Sequence, residues 1–267
     1  MTRCRNRTIG GTETNMDLNL DGKVAWVAGG TGWLGQATAR ALAAEGARVV
    51  ISSRREGACR ALADDIAETG SETLPVALDT TEPEAARAAV AHIVETWGGI
   101  DILVNSMSVA AYGPFLELER ATFQASLDAK YLGYIACMQA ALPVMLDQGA
   151  GAIVCISGTG GKMPIGIHMA GGSINAALNL IVRGLATEHA GAGIRINAVS
   201  PGPIASPRQD AMQDAGASAV SVTSAIPMGR FGDPKEVADA VLFLVSERAR
   251  YITGTVLFVD GGAVLTT

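Results

Sequence analysis

From residue 24 onward, short apolar runs alternate with longer stretches whose apolar positions recur every three or four residues. The short runs lie at residues 24–28, 48–52, 74–78, 100–104, 152–156, 195–199 and 256–259. They are apolar on both faces, as strands buried within a parallel sheet are. The periodic stretches at residues 34–45, 55–68, 84–97, 120–146, 173–189 and 235–246 predict helices. This alternation predicts an α/β fold with one doubly wound, seven-stranded parallel sheet and right-handed crossovers.

Two segments break the pattern. Residues 1–15 are polar, carry Arg3, Arg5 and Arg7, and lack the apolar stretch of a secretory signal. They read as a flexible N-terminal tail ahead of a single domain over residues 16–267, with Met16 a plausible alternative start. Residues 205–226, rich in Ala, Ser and Asp between Pro-containing turns, read as a mobile flap near the ligand. No repeat, low-complexity tract or linker divides the rest.

Composition narrows the function classes. Of 267 residues, 49% are hydrophobic and 17% charged, enough apolar material for a large core. The net charge of −6 gives no reason to expect nucleic acid or an anionic membrane as partner. No uninterrupted apolar run reaches the roughly 18 residues expected of a membrane span. Cys4, Cys59, Cys137 and Cys155 are scattered with no CxxC pair, so reduced thiols in a cytoplasmic protein are expected, and no metal site.

Candidate chemistry begins after the first strand, where Ala28-Gly29-Gly30-Thr31-Gly32-Trp33-Leu34-Gly35 opens a helix. Glycine lets backbone amides approach a pyrophosphate, and a helix N-terminus favours its negative charge. Strand, glycine turn and helix in one βαβ unit predict a Rossmann-type dinucleotide site.

With that loop the chain resembles the short-chain dehydrogenase/reductase family from about Asp17 to the end. Asp79 matches the family acid that contacts adenine, with Thr80 beside it. Asn105-Ser106-Met107-Ser108 stands where the family usually has Asn-Asn-Ala-Gly. Ser200-Pro201-Gly202-Pro203-Ile204 resembles the Pro-Gly turn beside the nicotinamide, and Ser206 stands near that loop's usual Thr. Gly229-Arg230-Phe231-Gly232-Asp233-Pro234 and the segment from Thr253 to Gly262 resemble the C-terminal signature. The resemblance implies an oxidoreductase with a nicotinamide cofactor, a small carbonyl or alcohol substrate, and a homotetramer or homodimer.

Two departures concern the cofactor. The spacing Gly29-x-x-Gly32-x-x-Gly35 resembles the family's extended branch, and Trp33 replaces the middle glycine of the shorter branch. The second strand ends in Ser52-Ser53-Arg54-Arg55 with no acid. An acid there would hold the ribose hydroxyls and repel a 2′-phosphate. Arg54 can pair with that phosphate and Ser53 can donate to it, which favours NADP(H) over NAD(H). The alternative reading makes Arg54 and Arg55 solvated charges at a helix start.

The catalytic pattern departs further. The family uses Ser, Tyr and Lys, aided by Asn, with Tyr and Lys one helical turn apart. Ser157 ends the fifth strand and matches the serine. In the register set by Arg183-Gly184-Leu185-Ala186-Thr187-Glu188, the tyrosine position falls on Gly171 and the lysine position on Asn175. The only lysines are Lys23, Lys130, Lys162 and Lys235, and none completes Tyr-x-x-x-Lys. Lys130 stands at the family's helical asparagine position.

Three side chains are candidates for rebuilding the missing acid. Lys130 could turn into the vacated space or be a solvated helix lysine. His168, three residues before Gly171, could transfer protons near neutral pH or be merely exposed. Tyr112 could bring a phenol from another direction or simply pack. Asn175 could still hydrogen-bond a nicotinamide ribose. The sequence therefore admits an oxidoreductase with an atypical proton donor, a catalytically silent cofactor-binding protein, or a redox-neutral lyase or isomerase.

Overall fold

A computed structural model describes residues 16–82, 84–109, 111–207 and 219–266. Seven parallel strands form one sheet in the order β3-β2-β1-β4-β5-β6-β7. They are β1 Val24–Ala28, β2 Arg48–Ser53, β3 Thr73–Ala77, β4 Ile102–Asn105, β5 Gly151–Ile156, β6 Ile194–Pro201 and β7 Val256–Val259. The order reverses between β1 and β4, and Ala28 pairs with Asn105 at their carboxyl ends. Ligands of open α/β sheets bind at such a switch point.

The helices are α1 Trp33–Ala44, α2 Glu56–Ala67, α3 Ala85–Trp97, α4 Arg120–Ser126, α5 Gly133–Gln148, α6 Met169–His189, α7 Ala219–Ser224 and α8 Pro234–Val245. One apolar layer packs α3, α5 and α6 on one sheet face around Trp26, Tyr134 and Met138. The other packs α1, α2 and α8 on the opposite face around Leu42, Ile51 and Val241. The central strands β1 and β4 are buried throughout, as their composition predicts. The edge strands β3 and β7 are half-buried, because each has a neighbour on one side only.

Two helix expectations are corrected. The stretch read as one helix over 120–146 is α4 and α5 joined by a π-helical turn, Leu127–Leu132. Such a turn shifts the phase of side chains beyond it and recurs at functional sites. The helix expected at 173 begins at Met169 and so includes Gly171 and Gly172. A Cβ at Gly172 would stand 3.0 Å from the Gly160 carbonyl oxygen, so the glycine serves close packing rather than helix breaking.

The helical run 120–148 is long and apolar enough, by length and composition, to cross a membrane. Its apolar residues Tyr134, Cys137, Met138, Ala141 and Met145 are core here. Cys59, Cys137 and Cys155 are free and buried. Residues 1–15 and 208–218, which hold Cys4 and much of the expected flap, lie outside the described residues.

Candidate active site

The glycine turn is shaped by backbone contacts. The Gly29 and Gly30 amides donate to the Ser52 carbonyl at 2.8 and 3.0 Å, and the Gly32 amide donates to Gly29 O at 3.0 Å. Gly29 has φ +80°, and a Cβ there would lie 2.7 Å from the Met107 amide nitrogen. A Cβ on Gly35 would overlap the Gly29 carbonyl oxygen. Both positions therefore require glycine for the α1 N-terminus to sit against the turn. Thr31 is buried, and its carbonyl accepts from Gln36 Nε2. These features fit a pyrophosphate cradle: bare backbone and a helix N-terminus at the sheet's switch point.

Trp33 crosses the mouth of this site. Its side chain is half exposed, and its Nε1 donates to the Ala205 carbonyl at 2.9 Å, joining the glycine turn to the start of the expected flap. Opposite, the amide of Gly202 donates to Val259 O, and a Cβ on Gly202 would lie 2.7 Å from Asp260 Cα. Ile204 and Gly232 bridge, and the Ser206 hydroxyl turns back to Ile204 O at 3.3 Å. The Pro201–Ser206 turn is thus held by the C-terminal signature segments.

Beyond the end of β2, Arg54 is exposed and lies close enough to Asp79 to help lower its pKa. The larger causes are the Thr81 amide and hydroxyl, which both donate to Asp79 Oδ1. The Ser53 hydroxyl accepts from the Arg55 amide at 3.3 Å and lies 3.1 Å from Cys59 Sγ. Thr80 donates to Met107 Sδ at 3.5 Å. Asn105 is fully buried, and its Oδ1 has no hydrogen-bond partner among the described residues.

A cavity of about 940 Å³ runs from Gly32, Trp33, Leu34 and Ser106 to Ser157 and α6. All five candidate catalytic residues line it: Tyr112, Lys130, Ser157, His168 and Asn175. Met107, Pro201, Gly202, Ile204 and Ser206 line it too. Gly29, Thr31, Gly35, Ser53, Arg54, Asp79, Thr80 and Asn105 lie outside its lining.

Lys130 is buried on the π-helical turn. Its Nζ donates to Asn175 Oδ1 at 2.8 Å and to the Ser157 carbonyl at 2.9 Å. The solvated reading of Lys130 is therefore incorrect: the turn aims its side chain inward. Ser157 Oγ donates over a long 3.4 Å to Val199 O.

His168 occupies the space over Gly171. A Cβ at position 171 would overlap its Cε1 and stand 2.5 Å from its Nε2. Its Nδ1 lies 3.3 Å from Ala111 O, and its ring stacks 4.7 Å from the Tyr112 ring. Tyr112 thus packs on the imidazole that faces the missing side chain.

Sequence reasoning missed Tyr134, one turn after Lys130. Its hydroxyl shares its one proton between Ile156 O at 2.9 Å and Met107 O at 3.1 Å, tying the end of β5 to the loop after β4. The i, i+4 spacing from Lys130 was the available signal. It also missed Ser126, whose buried hydroxyl lines the cavity without a partner among the described residues. Burial pushes the Cys155 thiol up to about 12, so it stays protonated beside this site.

The family model described as "Enoyl-(Acyl carrier protein) reductase" matches residues 31–264. The chain belongs to the short-chain dehydrogenase/reductase family. Among curated members, 2,5-dichloro-2,5-cyclohexadiene-1,4-diol dehydrogenase of Sphingobium indicum is 32% identical, over 92% of this chain and 98% of that protein. The solved gluconate 5-dehydrogenase of Burkholderia cenocepacia, in complex with NADP and tartrate, has a TM-score of 0.89 at 28% identity, covering 93% of this chain and 98% of that one. NAD+-bound xylitol dehydrogenase has a TM-score of 0.88 at 28% identity, covering 91% and 100%. These short-chain dehydrogenase/reductase relatives are named oxidoreductases, and the two solved members carry different nicotinamide dinucleotides.

Proposed function

We propose that this chain is an NADP(H)-dependent oxidoreductase acting on a small carbonyl or alcohol, with His168 as the proton donor. The observation that carries this reading is the imidazole of His168 in the space that a side chain at Gly171 would enter. Arg54, exposed where an acid would select NAD(H), supports the phosphorylated cofactor.

A nicotinamide dinucleotide whose pyrophosphate lay on the glycine turn would supply or accept the hydride. The chain's residues handle the substrate oxygen and its proton. Ser157, with only a 3.4 Å bond to Val199 O, turns its hydroxyl to the substrate oxygen. The Lys130 charge lies beside it through the Ser157 carbonyl and favours negative charge developing there. In the reducing direction the imidazolium of His168 gives its proton to that oxygen and becomes neutral; oxidation reverses the transfer. Asn175, its Oδ1 held by Lys130, lines the cavity and in this reading keeps its amide for the nicotinamide ribose.

The test compares wild type with His168→Asn, using NADPH and a panel of aldehydes and ketones. The expected result is a loss of about 10²–10⁴ in kcat/KM with NADPH affinity unchanged. Undiminished activity in His168→Asn would remove the imidazole from the mechanism.

A second reading, a cofactor-binding protein without turnover, is favoured by one feature. Lys130 directs its ammonium to two protein acceptors, as a structural lysine does. Tight NADPH binding with no oxidation across the panel selects that reading.

A further inference from the structure

The substrate end of the cavity has a one-sided chemistry. Met163, Ile165 and Ile167 line it, while the intervening Lys162, Pro164 and Gly166 are exposed. This alternation turns one apolar edge of the segment inward. Val109, Ile226 and Phe231 face the same space.

The described lining contains no Asp, Glu or Arg. Its Lys130 is bonded to Ser157 O and Asn175 Oδ1, and its His168 lies against Ala111 O and Tyr112. Lys162, the nearest other cation in sequence, lies 5.4 Å over the Phe258 ring and does not line the cavity.

We infer that the substrate is an uncharged, apolar carbonyl compound or the matching alcohol, not a keto acid, a polyol or a phosphate-bearing thioester. This rests on the oxidoreductase reading above. A carboxylate or phosphate held against the Met163–Ile167 edge, Val109, Ile226 and Phe231 loses water and gains no counter-charge from them, while the Lys130 ammonium is already bonded to two protein acceptors. A polyol loses water from each hydroxyl, and the Met163–Ile167 edge, Val109, Ile226 and Phe231 offer no side-chain hydrogen bond in return. An alkyl chain gains contact with every wall residue named. Reduction balances with the cofactor alone: a hydride to the carbonyl carbon and a proton to its oxygen give the alcohol.

The full chain is tested with 2-octanone, 7-oxooctanoate and erythrulose. Binding is read from tryptophan emission, with and without NADPH, and turnover from NADPH oxidation. The expected result is selective binding of 2-octanone and a kcat/KM on the order of 100-fold above the other two. In Met163→Arg the gap to 7-oxooctanoate should close by about tenfold. Equal or better binding of 7-oxooctanoate or erythrulose, or no binding of 2-octanone, overturns the inference. Selective binding of 2-octanone without oxidation of NADPH upholds the substrate class and overturns the oxidoreductase reading.

Discussion

The ammonium of Lys130 donates to the side-chain oxygen of Asn175 across 2.8 Å, from the π-helical turn to α6. In the family pattern read from the sequence, the helix-turn position carries the amide and the α6 position the cation. Here the two residue types have exchanged places, and the structure brings them into contact. The charge lies at the end of β5, at the Ser157 carbonyl.

Replacing Lys130 by Ala leaves Asn175 Oδ1 and Ser157 O buried without their donor. Urea denaturation should show a loss of about 2 kcal/mol, the usual scale for a bond to a charged group. The double exchange Lys130→Asn with Asn175→Lys should recover more than half of it. A double variant no better than the single one would show that the pair is not reciprocal.

Gly171→Ala separates stability from chemistry. Alanine is the better helix former by about 1 kcal/mol, but its Cβ needs the space of the His168 ring. The protein should remain folded by circular dichroism, while kcat/KM falls at least about tenfold as the imidazole is displaced. Unchanged turnover would mean that the ring position does not matter to the reaction.

Arg54→Asp should reverse cofactor preference. Removing the guanidinium and adding a carboxylate weakens NADPH relative to NADH by roughly 10- to 100-fold. Titrating both cofactors against the two proteins by fluorescence reads the ratio directly. The effect on NADPH should shrink as salt is raised, because the position is exposed.

Acid stability should depend on Glu236. Its carboxyl is held down at about 2, first by the side-chain bond from Arg230 and then by the Asp233 amide. A carboxyl with a depressed folded-state pKa adds stability above its ordinary value of 4.5 and loses it as pH falls through about 2. Unfolding midpoints of Glu236→Gln should therefore vary less than wild type across pH 4.5 to 2. The contact also closes the Gly229–Asp233 turn that pairs with Ile204, so the variant should bind NADPH more weakly.

The sequence alone determined the sheet, its seven strands and the glycine turn. Each depends on local pattern: apolar runs for buried strands, three-to-four periodicity for helices, glycines where backbone must approach backbone. It also located Gly171 and Asn175, because counting along one helix needs no knowledge of the rest of the fold. Tertiary structure decided what stands in their place. Lys130 and Asn175 are 45 residues apart in the chain, and a π-helical turn inside an apparently continuous helix sets where Lys130 points. Only the folded turn into α2 shows the Ser53 hydroxyl accepting from the Arg55 amide and lying beside Cys59 Sγ. The His168 ring fills the gap over Gly171 because α6 starts at Met169, four residues earlier than its apolar pattern suggests. Periodicity fixes which face of a helix is buried, but the contacts between helices depend on phase, and one extra residue in a turn changes that phase.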